Sequence, residues 1–214
     1  MGSKIEVKNM EDFGRMTMKE FQTALSSSSP TPGGGSAAAI ALGNAAALTC
    51  MVCDLTTSKE KWKEGWDVAE RIQNIAIPIL LDSIQLANED AIAFEEVMNS
   101  WKLPKNDEKE KNERKLKIEE ATLNAALKPL ETALKASEIL ELLPELAENG
   151  NSNAITDVAV AALLAHTASS GALFNVRINL LDLDRPDLIK KVDVINNKIK
   201  INLEKTIEIV ESKL

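Results

Sequence analysis

With 214 residues, 44% of them apolar, the chain is long enough to bury a core and reads as one compact domain. Aromatic residues reach only 3%, tyrosine is absent, and Ala, Leu and Ile dominate, a helix-forming rather than a sandwich-forming palette. The 25 Lys and Arg against 33 Asp and Glu, a net charge of −8, argue against a nucleic-acid partner but leave room for a small charged ligand.

The first ten residues mix charged and apolar groups without a signal-peptide pattern, and Glu6 stands where myristoylation needs Ser or Thr. Met1-Gly2-Ser3 reads as an expression scar, and residues 1–15 as a flexible lead into a domain that takes the chain, 1–214. Thr17-Met18-Lys19-Glu20 is a capping box that opens a short helix ending near Leu25. Four serines then lead into Pro30-Thr31-Pro32-Gly33-Gly34-Gly35-Ser36. The prolines stiffen this loop, and the glycines can take backbone angles closed to other residues. Ser36 sits where an N-cap belongs, ahead of a helix from about Ala37 to Thr57. A helix opening on bare glycine amides offers free N–H donors to an oxyanion or a polar ring edge; a tight turn between packed helices is the plainer reading.

The run Ala37–Cys53 is the membrane candidate, but it is short, Ala-rich and broken by Gly43, Asn44 and Thr49. A buried core helix and no membrane partner are expected. Cys50 and Cys53 lie inside that helix, not at its start, and His166 is the only histidine, so neither a redox pair nor a metal site is expected. Two core thiols fit a reducing compartment, and the protein is expected in the cytoplasm.

A long helix follows from about Lys59 to Trp101, with Pro78 kinking it. Its apolar seam runs Ala69, Ile72, Ala76, Ile79, Ser83, Leu86, Asp90, Ala93, Val97 in steps of three and four. Only Ser83 and Asp90 break it. A carboxylate on a buried seam is costly unless it is paired with a cation, protonated or used. Leu103-Pro104-Lys105-Asn106 ends the helix, Asp107 caps the next, and the charged span 105–117 reads as a solvated face. Leu123, Leu127, Leu130 and Leu134 predict a buried stripe, with a kink at Pro129 and an interruption at Pro144 before the stop at Asn149-Gly150.

A helix from around Asn153–Asp157 to about Leu180 places Asp157, Ala161, Leu164, Ala168, Gly171, Asn175 and Asn179 on one face. That face is polar at both ends, and its paired asparagines suit a heterocycle edge. His166 lies about half a turn from it and reads as a packed histidine. Pro186 opens a final amphipathic helix over 187–213. The fold class is all-α, a multi-helical single domain of about six helices, two of them long and proline-kinked. No nucleotide loop, zinc-protease or hydrolase motif occurs.

Four stretches stand in order: Thr31-Pro32-Gly33-Gly34-Gly35-Ser36, Asp90-Ala91-Ile92-Ala93-Phe94, Leu103-Pro104-Lys105, and Gly150–Asp157 continuing to Asn175-Val176-Arg177-Ile178-Asn179-Leu180. Together they resemble the cyclodeaminase/cyclohydrolase family, which includes methenyltetrahydrofolate cyclohydrolases, over residues 17–210 or so. The resemblance implies a multi-helical homodimer in one-carbon metabolism. Its substrate would be a tetrahydrofolate derivative, with or without a polyglutamate tail, and no cofactor would be permanently bound. The catalytic aspartate of the family's motif falls on Asp90. Pro32, Gly33, Gly34, Gly35, Ser36, Lys105, Asp157, Asn175 and Asn179 are the candidate substrate-binding residues, with Arg177 a further partner for the glutamate tail. Asn88, where members can carry a second Asp, and Asn44, in place of a small apolar residue, depart from the pattern. The implied reaction is hydrolysis of 5,10-methenyltetrahydrofolate to 10-formyltetrahydrofolate. The first alternative is formiminotetrahydrofolate cyclodeaminase, whose formimino substrate another protein would have to make. The second is a non-catalytic helical scaffold in which Asp90 serves an ion pair.

Overall fold

The structure, a computed structural model, describes residues 12–214. Its helices are α1 (Met18–Leu25), α2 (Gly34–Thr57), α3 (Trp66–Ser100), α4 (Glu108–Asn149), α5 (Ile155–Leu180) and α6 (Pro186–Ser212). Short 3₁₀ turns sit at Phe13–Arg15, Glu60–Gly65 and Ser152–Ala154, and no strand occurs among the described residues. The all-α expectation holds. α2 packs between α3 and α5, while α4 lies against α3, α5 and α6.

Small side chains set these distances. α2 buries Ala39, Leu42, Ala45, Ala46, Val52 and Cys53 completely. A Cβ at Gly43 would collide with Ser83 of α3, and Gly171 of α5 stands against Ala38. Leu42, Ile72, Ile139, Leu140 and Leu143 are fully buried; each such side chain contributes about 1.5–3 kcal/mol. Both cysteines are free and buried, and burial pushes the Cys53 thiol up to about 12. They are core residues.

Several expectations need correction. Residues 59–65 are not α-helical: Trp62 departs from helical angles, and α3 begins only at Trp66. Gly65 is pressed there against the Asn149 carbonyl, so the start of α3 and the end of α4 meet where a Cβ has no room. α3 stays continuous through Pro78, and α4 through both Pro129 and Pro144. Pro144 therefore does not interrupt the helix; burial of Leu143 and Leu146 beside it offsets its cost of about 3 kcal/mol. The leucine stripe is only half right. Leu130 is buried, but Leu127 and Leu134 are 42% and 38% exposed. α4 turns Ala126, Ala133, Leu140 and Ala147 inward instead, because its neighbours approach too closely for a run of leucines.

Of the N-terminal segment expected to be flexible, residues 1–11, with the scar and acylation readings, lie outside the described residues. Its last four residues are fixed. Asp12 caps the first turn, Phe13 is buried edge-on against Phe21, and Asn88 bonds both. The Asn88 Oδ1 accepts from the Phe13 N–H at 3.0 Å, while its Nδ2 donates to Asp12 at 2.8 Å. By length and composition two stretches, Gly34–Thr57 and Ser152–Leu180, could cross a membrane, not one, and both contribute to the core.

Candidate active site

The N-terminus of α2, the C-terminal third of α3, and facing turns of α4 and α5 line a cavity of about 130 Å³. Gly33, Gly34 and Gly35 form one wall, Asp90 and Phe94 a second, and Asn175 and Asn179 a third. Pro30, Thr31 and Ala125 complete it.

The glycine wall works through close approach and not through unusual angles. No described glycine has a positive φ, and Gly33 is extended (φ −129°, ψ −158°). Gly33, not Ser36, is the N-cap of α2, and no side-chain hydrogen bond caps that end. The Asp90 carboxylate lies on the first turn instead: a Cβ at Gly35 would overlap its carboxyl carbon and both oxygens. Ser36 is fully buried one position further on. Its hydroxyl lies 3.2 Å from the Ala87 carbonyl and 3.4 Å from Asp90 Oδ2, within donating reach of either. The anion on this helix terminus is thus the protein's own.

Asp90 has no ion-pair partner among the described residues. Across the α3–α4 contact Lys128 is taken by Glu89, the neighbour of Asp90 in sequence, at 2.8 Å, and that pairing holds the Glu89 carboxyl below its ordinary value. Burial pushes the Asp90 carboxyl above its ordinary value, and the Ser36 hydroxyl and N–H pull it part of the way back. A carboxyl that is buried, lines a cavity and lacks a cation suits proton transfer.

The asparagines are oriented by the backbone. Asn175 Nδ2 donates to the Gly171 carbonyl at 3.0 Å, and Asn179 Nδ2 to those of Ala125 and Asn175 at 2.9 Å. Asn179 thereby uses both amide hydrogens and Asn175 one of two, so the pair keeps two carbonyl oxygens as acceptors against one N–H donor and favours a ligand edge that donates.

Other sequence candidates lie elsewhere. Asp157 shares the azimuth of Asn175 but sits 18 residues back along α5, about 27 Å away at 1.5 Å per residue. Lys105 is exposed in the turn after α3, and Pro32 is buried behind the loop; neither lines the cavity. Ser36 touches Asp90 and not the cavity. Arg177 faces Asp193 of α6 at 3.3 Å. His166 is half-buried, and burial, then Lys200, lower its proton affinity. Asn44 is exposed. Phe94, one turn after Asp90, could have been found from that spacing, whereas Pro30, Thr31 and Ala125 carry no chemical signal. A larger groove of about 580 Å³ includes Glu96, Asn99 and Leu103. Asp90 does not line this groove, and the groove's Glu120 is paired with Lys117.

A family profile described as formiminotransferase-cyclodeaminase matches residues 17–196. The chain is similar to the methenyltetrahydrofolate cyclohydrolase of Methylorubrum extorquens, 38% identical over 171 residues, covering 80% of this chain and 82% of that protein. It is also similar to the formimidoyltransferase-cyclodeaminase of Rattus norvegicus, 33% identical over 170 residues and 78% of this chain. The match covers only 31% of that longer relative. Among solved structures, formiminotetrahydrofolate cyclodeaminase from Thermotoga maritima superposes with a TM-score of 0.78 at 28% identity, covering 94% of this chain and 96% of that one.

Proposed function

Because the chain belongs to the formiminotransferase-cyclodeaminase family, we propose that it hydrolyses 5,10-methenyltetrahydrofolate to 10-formyltetrahydrofolate, with Asp90 as general acid and base. The observation that carries this reading is a buried, cation-free carboxyl lining the cavity. The methenyl bridge between N5 and N10 is an amidinium-like cation, which a neighbouring carboxylate stabilises. Asp90 takes a proton from water as the water oxygen bonds to the bridging carbon. The neutral carbinolamine collapses when Asp90 returns that proton to N5. The C–N5 bond then breaks, the hydroxyl loses its proton as the carbonyl forms, and the formyl group stays on N10. One proton is released overall.

The cavity holds the one-carbon bridge and a ring edge, with the Asn175 and Asn179 carbonyl oxygens accepting from pterin N–H groups. Among the described residues no cation lines it, so a glutamate tail, single or extended, leaves toward solvent. The likeness to the Thermotoga cyclodeaminase favours a second reading, in which N10 attacks a formimino carbon and Asp90 protonates departing ammonia. Coverage of the free-standing cyclohydrolase along most of its length favours the first. The two are separated by supplying 5-formiminotetrahydrofolate and assaying ammonia. No release above the blank, with methenyl hydrolysis intact, is the expected result; stoichiometric release with methenyl formation would make the protein a cyclodeaminase.

We place the protein in the cytoplasm as a homodimer. Met51 and Leu55 of α2 and Val160, Leu163, Phe174 and Ile178 of α5 are exposed; α2 carries no charged residue before Asp54, and α5 no Asp, Glu, Lys or Arg between Asp157 and Arg177. Such a face suits a second copy. Light scattering is expected to give twice the 23.3 kDa chain mass, and a monomer mass would refute this.

A further inference from the structure

Ser36 has one hydroxyl proton and two acceptors, the Ala87 carbonyl at 3.2 Å and Asp90 Oδ2 at 3.4 Å. Its side chain is fully buried, so water cannot take either role. The same carboxyl has to be anionic when it accepts a proton and neutral when it returns one. We propose that Ser36 is a positioning residue for Asp90, its hydroxyl turning between Asp90 and the Ala87 carbonyl as the carboxyl changes protonation state. With Asp90 ionised, the hydroxyl donates to Oδ2 and leaves Oδ1 for the substrate. With Asp90 protonated, the hydroxyl donates to Ala87. Its oxygen lone pair then accepts if the carboxyl proton resides on Oδ2. No bond other than hydrogen bonds changes, and no buried group is left without a partner in either state.

This inference rests on the acid–base reading of Asp90. The charged surroundings are quiet enough to read it. α2 carries no charge from Gly34 to Cys53. Glu89 on α3 is paired with Lys128 on α4, and Arg177 on α5 with Asp193 on α6. His166, the remaining titratable group between Asp157 and Arg177 on α5, is nine residues from Asn175, about 13 Å along the helix.

Ser36→Ala removes the hydroxyl while keeping the volume. The expected result is a fall in kcat of about tenfold or more with KM within threefold, and a melting temperature within a few degrees of wild type. The acid limb of the kcat/KM profile should also move to higher pH, since a donor that favours the carboxylate is gone. Ser36→Thr, which restores the hydroxyl, should recover kcat if it folds with the wild-type melting temperature. Wild-type kcat and an unmoved acid limb in Ser36→Ala would overturn the role, as would a loss that follows only the folded fraction. Asp90→Asn is measured alongside. If that variant is fully active, the acid–base reading falls first and this role with it; if it is inert while Ser36→Ala is normal, only the Ser36 role falls.

Discussion

Asp90→Asn is expected to lower kcat for methenyl hydrolysis by about 10²–10⁴-fold, the usual contribution of a positioned acid–base group, while raising the melting temperature at neutral pH. Loss of activity alone would not distinguish a reacting group from a broken fold. The stability arm does. Burial raises the proton affinity of Asp90 in the native state. As pH rises from about 3.8, the unfolded carboxyl ionises first while the native one keeps its proton, so native stability falls across the window up to the raised native value. Above that window the wild type carries the full penalty, and the amide removes it. The stability difference should therefore be greatest above that window, shrink on acidification and disappear only below pH 3.8, where both states are largely protonated. Thermal melts of the two proteins from pH 4 to pH 8 check it. A variant that is inert and less stable at neutral pH would mean that Asp90 is held for its interactions with α2 and not despite their cost.

Gly35→Ala should abolish most turnover without unfolding the protein. Alanine in a helix is intrinsically favoured over glycine by about 0.5–1 kcal/mol, and φ at this position is ordinary. The new methyl group, however, would occupy the space of the Asp90 carboxyl. The side chain has to swing off the end of α2, losing both its orientation and the Ser36 donors. A displacement of about 1 Å in a reacting group can cost 10²-fold in rate, so kcat should fall by about that factor while circular dichroism and the melting temperature stay near wild type. Unchanged kcat would show that the carboxyl position is immaterial. A wholesale loss of helix would show that the glycine serves packing alone.

Both effects depend on features that the sequence displayed unevenly. Asp90 was legible because it interrupts an otherwise apolar heptad seam, and the glycine run because three in a row before an Ala-rich stretch demand a reason. What the run is for was not legible. A cap is sought in the adjacent residues, which pointed to Ser36; the anion at the helix end comes from a residue 54 positions away. Helical periodicity gives azimuth but not height, so Asp157 and Asn175 share a face although they stand toward opposite ends of α5. Size misled in α4, where Leu127 and Leu134 face outward because close-packed helices admit alanine more readily than leucine. The walls supplied by Thr31 and Ala125 depend on which turns meet in three dimensions, and nothing in the residue types announces that.

The most direct test follows the methenyl chromophore. 5,10-Methenyltetrahydrofolate is mixed with wild type, with Asp90→Asn, and with buffer at one neutral pH, and the absorbance decay is recorded. A catalytic carboxyl at the end of α2 predicts rapid decay with wild type and a rate within a few-fold of buffer with the variant. Equal acceleration by both proteins, or by neither, would contradict it.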